Sequence, residues 1–438
     1  MKRRAFLIFS FTFLISHFPF LICNAMQVQT DHDWYLAGEA MEVSVTEGDA
    51  LIAYAELCDT QRLAAGIMIS LRDGAGKGVM ELPADLHSGY YLLSVYTRHS
   101  TNVSLQLVAV VNALRKSVDD DIEWVVDSVE CRVESVEFAT ALKRCADGTA
   151  AANSTLYTLN STLKPYPETE GHVVLARVKN VYDGHSFSGS EIRPSLSIIG
   201  KQIHYFEGKM VDDSTAVFNT FGIHGHQPLV LSAVSSTGVS LPVEMMSPFA
   251  ALIPKQLPHL VFHYKRSEVE ARSLDMQRHQ KFSPSSEASG DGGKFSPPSE
   301  GSGEAYDETL FGTKPDLSYN LDEYRQFLTI REVLLEYVSC VSKKKTDGVS
   351  KLFVRKEQEL YNTILPSLVL IDGMPVFDVE RLLNYDARRV HYINIYGGQY
   401  TFGNGIYNGI LSFVTRSGQL TNYPTEPNMQ YLVYDFPS

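Results

Sequence analysis

The stretch LVLIDGMPVFDVERLL, residues 368–383, decides how the C-terminal part of this chain is interpreted. Its first four residues are apolar and predict a buried strand, and the Asp372-Gly373 pair after them predicts a turn. Pro375 restricts the backbone as the chain leaves that turn. Asp372 is also a candidate catalytic carboxylate at a strand end, with Asp378 as its best available partner. Turn chemistry explains Asp372 with fewer assumptions, so the stretch predicts structure and not catalysis.

The elements around this stretch combine helices and strands. Thr329 and Glu332 fit a capping box, and the apolar stripe that follows predicts a helix. The lysines at 343–345 suit the negative C-terminal end of that helix. The pattern as a whole predicts an α/β or α+β unit. The stripe consists of Ile330, Val333, Leu334, Tyr337, Val338 and Val341, and the other predicted elements are strands at 350–356, 390–396 and 409–415 with a short helix at 378–384.

The segment GGQYTFGNGIYNG, residues 397–409, is predicted to be a Gly-rich loop that carries three aromatic side chains. Tyr400, Phe402 and Tyr407 are candidate contacts for a binding partner, because aromatic residues are enriched among binding hot spots. An equally good explanation is that these three side chains cover the core of their own unit.

Two earlier segments have the patterns of β-structure. In residues 27–112, Met41, Val43 and Val45 alternate with polar residues, and glycines and prolines separate further apolar runs. Residues 171–248 contain similar short apolar or alternating runs. Short strands with frequent turn signals predict a β-sandwich in each segment. The expected fold is therefore multidomain, with two β-sandwich domains followed by a small α/β domain.

The boundaries between these units follow from composition. Residues 281–303 contain a short repeat, KFSPSSEASG and then KFSPPSEGSG, which lacks the apolar residues of a core and predicts a flexible linker. The charged stretch at 266–280 fits a short helix. The predicted division is a signal peptide at 1–25, a β-sandwich at 26–112, an irregular connecting region at 113–168, a second β-sandwich at 169–250, a linker region at 251–320 and an α/β unit at 321–438.

The N-terminus has the pattern of a secretory signal peptide. Three basic residues precede an apolar run that reaches Ile22, and Cys23 and Ala25 are small residues at the −3 and −1 positions of a cleavage site. A retained membrane anchor is the alternative, although Pro19 cuts the apolar run short of a spanning length. Lipid attachment at Cys23 is a further alternative. No transmembrane segment is expected after signal cleavage.

The chain is acidic, with 38 Lys and Arg against 51 Asp and Glu and a formal net charge of −13. Cleavage after residue 25 removes three basic residues and leaves 35 against 51, a charge of −16. This charge disfavours binding to nucleic acid phosphates. Cys131 and Cys145 are candidates for a local disulfide in an exported protein, and free thiols are the alternative. His224 and His226 have the spacing of two metal ligands without a third, so neither a metal nor a cofactor is expected.

Residues 33–97 resemble the macroglobulin-type β-sandwich domain of large envelope and complement-like proteins. The resemblance rests on the Tyr-x-Ala-Gly-Glu start at residues 35–39, a Gly-x-Gly turn before Leu-Pro, and the Ser-Gly-Tyr-Tyr strand that ends in Tyr96-Thr97. It implies a macroglobulin-like or Ig-like fold for the first sandwich.

Residues 330–418 resemble the plug domain of TonB-dependent outer-membrane receptors. The resemblance covers the EVLLEYV helix, the LFVRK strand, the opening Asp-Gly-x-Pro-Val turn, the VHYINIY strand, the Gly-rich loop and the closing Thr-Arg-x-Gly. It implies that Asp372, Gly373 and Pro375 link two elements of a small sheet. Only twenty residues follow Gly418, too few for the barrel strands of a receptor, and no clear TonB-box is present. We therefore do not expect a self-contained transporter.

The combination of these segments resembles a class of exported proteins from Bacteroides-type bacteria. It implies export to the periplasm, or association with the outer membrane, of a Gram-negative bacterium. The expected function is non-catalytic docking to an outer-membrane or export and uptake complex, with an envelope protein such as an outer-membrane β-barrel as the partner. The alternative is a small-ligand or glycan binding module at the envelope. An enzyme is not expected, since no GxSxG, HExxH or P-loop motif is present.

Overall fold

The computed structural model is mostly β-structure and contains three units: a first sandwich (26–112), a second sandwich (172–245 with 430–436) and a C-terminal unit (317–418). The predicted signal peptide with Cys23, the Cys145 thiol and most of the Ser/Pro/Gly-rich repeat lie outside the described residues. The structure describes residues 26–98, 103–112, 122–126, 131–133, 157–158, 166–199, 203–282, 311, 313–346, 348–355, 365–418 and 428–438.

The first sandwich packs two sheets face to face, with strand orders β2-β8-β7-β4-β5 and β1-β3-β6. Met41, Val43 and Val45 on β3 point into the core between the sheets, and the polar residues between them do not. This confirms the period of two that the sequence predicted. The strands are β1 (Gln27–Thr30), β2 (Trp34–Leu36), β3 (Ala40–Thr46), β4 (Ile52–Cys58), β5 (Leu63–Ser70), β6 (Ala75–Glu81), β7 (Gly89–Thr97) and β8 (Val103–Val111).

The connecting region that follows contributes three short strands to the described part of the chain. They are β9 (Ile122–Val126), β10 (Arg132–Val133) and β11 (Tyr157–Thr158).

The second sandwich also has two facing sheets, ordered β17-β18-β12-β21 and β16-β15-β19-β20. Val174, Leu196, Phe218 and Leu231 meet in the core between them. The strands are β12 (His172–Val178), β13 (Val181–Tyr182), β14 (His185–Ser186), β15 (Ile192–Ile198), β16 (His204–Glu207), β17 (Lys209–Met210), β18 (Thr215–Thr220), β19 (Gly225–Ser235), β20 (Ser240–Leu241) and β21 (Val243–Met245).

The next segment packs back onto the first sandwich, although the sequence placed it in a linker. It contains β22 (Ile253–Pro254), β23 (Leu260–Tyr264) and α1 (Arg266–Phe282), and α1 confirms the helix predicted at 266–280. Leu260 and Phe262 on β23 bury their side chains against Trp34. The Arg272 guanidinium lies 3.9 Å from the centre of the Trp34 ring and 2.7 Å from a Glu39 carboxylate oxygen. Apolar burial and this cation therefore fix a segment that has little periodicity in its sequence.

The C-terminal unit has one five-stranded sheet, ordered β24-β29-β30-β27-β28, in which β27 and β30 are parallel. The predicted capping box is confirmed: the Thr329 hydroxyl accepts from the Glu332 N–H at 3.3 Å, and the Glu332 carboxylate accepts from the Thr329 N–H at 3.0 Å. The elements are β24 (Leu317–Asn320), α2 (Ile330–Glu336), β25 (Val341–Thr346), β26 (Val349–Val354), β27 (Leu368–Ile371), β28 (Met374–Pro375), α3 (Val379–Leu383), β29 (Val390–Phe402), β30 (Gly405–Thr415) and β31 (Gln430–Phe436).

Two local predictions in this unit are wrong. The helix α2 ends at Glu336, and the lysines at 343–345 lie in the β25–β26 hairpin instead of at a helix end. The predicted loop at 397–409 is a continuation of the β29–β30 hairpin, with a turn only at Gly403 and Asn404. In both places cross-strand pairing within a hairpin overrides a local helix or loop signal, because strand formation depends on the neighbouring strand more than on intrinsic preference.

The three units share apolar contacts, so they pack as a continuous body. Ile52 and Tyr54 of the first sandwich belong to the core of the second sandwich. Ile199 and Val230 of the second sandwich belong to the core of the C-terminal unit. The last strand, β31, pairs with β19 of the second sandwich, whereas the sequence-based division placed these residues with the C-terminal unit.

Candidate functional site

The opening stretch forms a tight hairpin turn between β27 and β28. Asp372 and Gly373 both have positive φ, +46° and +89°, as a two-residue hairpin turn of the primed type requires. The buried Asp372 carboxylate accepts from the Thr415 N–H at 2.7 Å and from the Thr415 hydroxyl at 2.5 Å. Asp378 does not join it but caps α3, accepting from the Arg381 N–H at 3.1 Å. This is the geometry of a structural turn that is tied to the end of β30.

The aromatic residues of the predicted loop lie on one face of the β29–β30 hairpin. Tyr400 and Tyr407 are cross-strand partners, and Phe402 continues the same face towards the tip. This face packs against β16: the Phe402 and Tyr205 rings meet edge to face with centroids 5.7 Å apart. Tyr407 is only 6% exposed, whereas Tyr400 and Phe402 are half-buried. The opposite face points to solvent and carries Ile406, which is 48% exposed.

Glycine at the hairpin tip allows the backbone to approach β16 closely. Gly403 has φ +59°, and a Cβ placed on it would lie 2.1 Å from the Glu207 carbonyl oxygen. A Cβ on Gly405 would lie 2.3 Å from a Glu207 carboxylate oxygen. The Asn404 N–H donates to the Glu207 carbonyl at 3.2 Å. The Gly-rich composition of this segment is therefore explained by contact within the chain.

A cluster of polar side chains links the two sides of this contact. The Arg193 guanidinium donates to both Glu207 carboxylate oxygens, at 3.1 Å from Nε and 2.8 Å from Nη2, and Nη2 also reaches the Tyr407 hydroxyl at 3.1 Å. The Tyr407 hydroxyl donates to Glu207, and the Tyr205 hydroxyl lies 3.0 Å from that of Tyr407. Burial raises the pKa of Tyr407 well above its usual value and that of Tyr205 to about 12. Both phenols therefore stay protonated at neutral pH and act as hydrogen-bond donors.

Sequence reasoning missed Arg193 and Glu207. Burial opposes the charge of Arg193, but the hydrogen bonds that Arg193 donates to Glu207 outweigh it and raise the pKa of the guanidinium. The available signal was a single charged residue in each of two strands, Arg193 in β15 and Glu207 in β16. A carboxylate such as Glu207 is seldom buried unless it is paired.

A cavity of about 310 Å³ lies beside this cluster, between the second sandwich and the C-terminal unit. One end carries the polar cluster, and the walls are mainly apolar side chains of β26, β27 and the segment after β28. The lining residues are Arg193, Tyr205, Glu207, Val234, Ser235, Ser236, Gly238, Val349, Ser350, Lys351, Leu352, Pro366, Ser367, Leu368, Val369, Pro375, Val376, Phe377, Val379 and Tyr407.

A second buried polar cluster joins the two sandwiches. One Glu168 carboxylate oxygen accepts from the Tyr54 hydroxyl at 2.6 Å and Arg98 Nη1 at 3.2 Å, and lies 3.0 Å from His172 Nδ1. His172 Nε2 lies 2.8 Å from the Tyr434 hydroxyl on β31. Burial lowers the pKa of His172, and hydrogen bonding from His172 and the charge of Arg98 outweigh burial to lower that of Glu168. The carboxylate, imidazole and hydroxyl are all buried, so this arrangement serves as an interlock between units.

The histidine pair predicted as possible metal ligands does not form a metal site with other side chains in the described part of the chain. His224 Nδ1 lies 3.0 Å from the Pro437 carbonyl, and His226 pairs with Asp435 at 3.4 Å. Among the described residues, no group of three His, Cys, Asp or Glu side chains is placed to hold a metal ion. Cys131 is a free thiol, with Sγ 3.1 Å from the Lys265 N–H. Over the same described ranges, no helix is both long and apolar enough to cross a membrane.

Comparisons with known proteins give only weak likenesses. No family model matches the chain, and no curated protein matches it. Trypsin-activated alpha-2-macroglobulin from Escherichia coli is 9% identical with a TM-score of 0.19, over 52% of this chain and 16% of that one. Salmonella alpha-2-macroglobulin is 10% identical with a TM-score of 0.18, over 54% of this chain and 14% of that one. A beta-glucosidase from Listeria innocua is 18% identical with a TM-score of 0.16, over 20% and 16% of the two chains.

Proposed function

We propose that this chain is a non-catalytic interaction protein, exported to the envelope of a Gram-negative bacterium, that docks to an outer-membrane or export and uptake complex. The observation that carries the proposal is the β29–β30 hairpin, whose inner face packs on the second sandwich while residues of its outer face are exposed. A surface that is already ordered loses little conformational entropy when it binds. The hairpin is therefore suited to contact another protein.

The outer face of the hairpin has a mixed polar and apolar composition. Gln399, Thr401 and Ile406 are exposed on it, whereas Tyr400 and Phe402 belong to the inner face and are half-buried. A rim of polar groups around a few apolar anchors is typical of protein interfaces. The predicted aromatic contacts are thus reduced to the two that keep some exposed surface.

The non-catalytic assignment is supported by how the buried carboxylates and histidine, and the half-exposed Arg193, are used. Glu168 and His172 connect the two sandwiches, and Arg193 and Glu207 connect the second sandwich to the C-terminal unit. Asp372 is held by Thr415 within a turn. Each of these groups has a structural partner that accounts for its position.

The proposed partner is an outer-membrane β-barrel or another envelope protein. This part of the proposal rests on the resemblance of residues 330–418 to receptor plug domains, which present the same kind of unit to a barrel. The resemblance of residues 33–97 to macroglobulin-type domains and the signal-like N-terminus support an envelope location.

The test is co-purification of the tagged mature protein with partners from an outer-membrane extract after brief crosslinking. Ile406→Glu places a charge on the outer face of the hairpin, and Val433→Glu is the matched control on β31, where Val433 is 58% exposed. We expect capture of a specific envelope protein that Ile406→Glu reduces at least tenfold and Val433→Glu leaves unchanged. Absence of any envelope partner, or equal capture by both variants, would overturn the proposal.

A further inference from the structure

We propose that the cavity between the second sandwich and the C-terminal unit binds a small monocarboxylate with an apolar body, of the medium-chain fatty acid class. Its volume of about 310 Å³ is near the lower end of the range typical of small-molecule sites, about 300 to 1,000 Å³. This site is separate from the outer face of the hairpin and does not depend on the docking proposal.

The walls favour an apolar ligand body. Leu352, Leu368, Val369, Val376 and Phe377 line the cavity, and four of these five side chains are at most 7% exposed. Leu352, Leu368 and Val369 belong to β26 and β27, so the sheet sets their positions, and Val376 and Phe377 lie in the short segment between β28 and α3. Burial of an aliphatic chain against such walls favours binding, because it removes apolar surface from water.

The hydroxyl groups of the lining argue against a sugar. Ser350 Oγ donates to Glu380 at 2.7 Å, Ser367 Oγ donates to the Asn408 carbonyl at 2.6 Å, and Ser235 Oγ lies 2.9 Å from Thr237 Oγ1. A glycan brings many hydroxyl groups, and each one buried without a partner costs free energy. Serines that already bond to the protein offer few such partners.

The charges of the lining select an anionic head group. Glu207 is neutralised by the two hydrogen bonds from Arg193, and Arg193 Nη1 donates to no group within the described residues. Lys351 forms no ion pair in the same described part of the chain. Two cations and one carboxylate give the lining a formal charge of +1, which one carboxylate balances.

The polar end of the cavity is open enough for a ligand head group. The Arg193 side chain is 50% exposed, and Ser236 on the rim is exposed as well. A planar guanidinium edge is suited to a carboxylate, because the two groups match in geometry. The head group would therefore lie at the half-exposed Arg193, with Lys351 as the second cation of the lining and the apolar body directed along the apolar walls.

The test is isothermal titration calorimetry of the full mature chain with octanoate, with 1-octanol and with acetate. Octanol keeps the apolar body without the charge, and acetate keeps the charge without the body. We expect octanoate to bind with one-to-one stoichiometry, octanol to bind at least tenfold more weakly, and acetate to show no binding. No octanoate binding at millimolar concentration, or equal affinity for octanol, would overturn the proposal.

Three variants test whether octanoate binds in this cavity. Ser236→Trp places a ring over the cavity from an exposed rim position, and Ser190→Trp is the control at an exposed serine elsewhere in the second sandwich. Lys351→Met keeps most of the length of the side chain and removes its charge. We expect Ser236→Trp to abolish octanoate binding, Ser190→Trp to leave it unchanged, and Lys351→Met to weaken octanoate at least fivefold without affecting octanol. Octanoate binding that survives Ser236→Trp places the ligand elsewhere and refutes the site.

Discussion

Replacement of Gly403 by Ala tests the contact that holds the C-terminal unit against the second sandwich. Gly403 and Gly418 have nearly the same backbone conformation, φ +59° and +63°. They differ in space: a Cβ on Gly403 meets the Glu207 carbonyl oxygen at 2.1 Å, whereas nothing lies within 4 Å of a Cβ on Gly418. Gly418→Ala is therefore a control that matches the backbone strain but not the steric overlap.

The expected loss of stability follows from the separate contributions. Alanine in the left-handed region costs about 1 kcal/mol at either position. At Gly403 the methyl group also pushes the tip away from β16, which removes the Asn404 to Glu207 hydrogen bond, worth about 1 kcal/mol. Loosening of the charged contact between Arg193 and Glu207 adds about 1.5 to 3 kcal/mol. We expect a loss of about 3.5 to 5 kcal/mol for Gly403→Ala and about 1 kcal/mol for Gly418→Ala.

The assay is urea unfolding of both variants and the parent protein, followed by circular dichroism and tyrosine fluorescence. The midpoint and slope give the free energy of unfolding for each protein. Near-ultraviolet circular dichroism reports on the fixed environment of all the aromatic side chains together, to which Tyr205 and Tyr407 contribute. Equal destabilisation by the two substitutions would refute the view that glycine at the tip serves close approach to β16.

Three further outcomes are expected. Thr329→Ala should lower the free energy of unfolding by about 1 kcal/mol through loss of the α2 cap, with Thr313→Ala as an exposed control, both measured by urea titration. Glu168→Ala should cost about 3 to 5 kcal/mol in the same titration, because it leaves a buried Arg and His without their carboxylate, and an unchanged midpoint would contradict the interlock. The folded-state pKa values of His172 and Glu168 are both lowered, so their contributions are present above the unfolded values and are lost as pH falls. The midpoint temperature of thermal unfolding should therefore fall below about pH 6.5. His172→Gln should make this decrease smaller between pH 7 and 5, whereas His185→Gln should leave it unchanged.

Several features follow from short-range patterns alone. The Thr329 capping box, the Asp372-Gly373 turn and the alternation through Val43 and Val45 all match the structure, since each depends on residues within a few positions of one another. The two local failures occur where hairpin pairing overrides a helix or loop signal. The lysines at 343–345 are in a strand because they pair with residues 350–352 across the β25–β26 hairpin.

In the candidate site, too, the sequence predicted the residues but not their arrangement. The Gly-rich segment with Tyr400, Phe402 and Tyr407 stood out in the sequence, but its inner and outer faces could not be distinguished. Which face is buried depends on the register of the β29–β30 hairpin and on its contact with β16. Ile406, on the exposed face, was missed because the aromatic residues gave the stronger signal.

Composition and local periodicity were enough to establish a mostly β chain and the positions of many of its strands, caps and turns, because those depend on neighbouring residues. Only the tertiary structure brought together Tyr407 and Glu207, which are 200 positions apart, and His172 and Tyr434, which are 262 apart. It also placed β31 beside β19. Contacts between distant segments depend on how whole faces fit together, and local periodicity does not record which faces will meet.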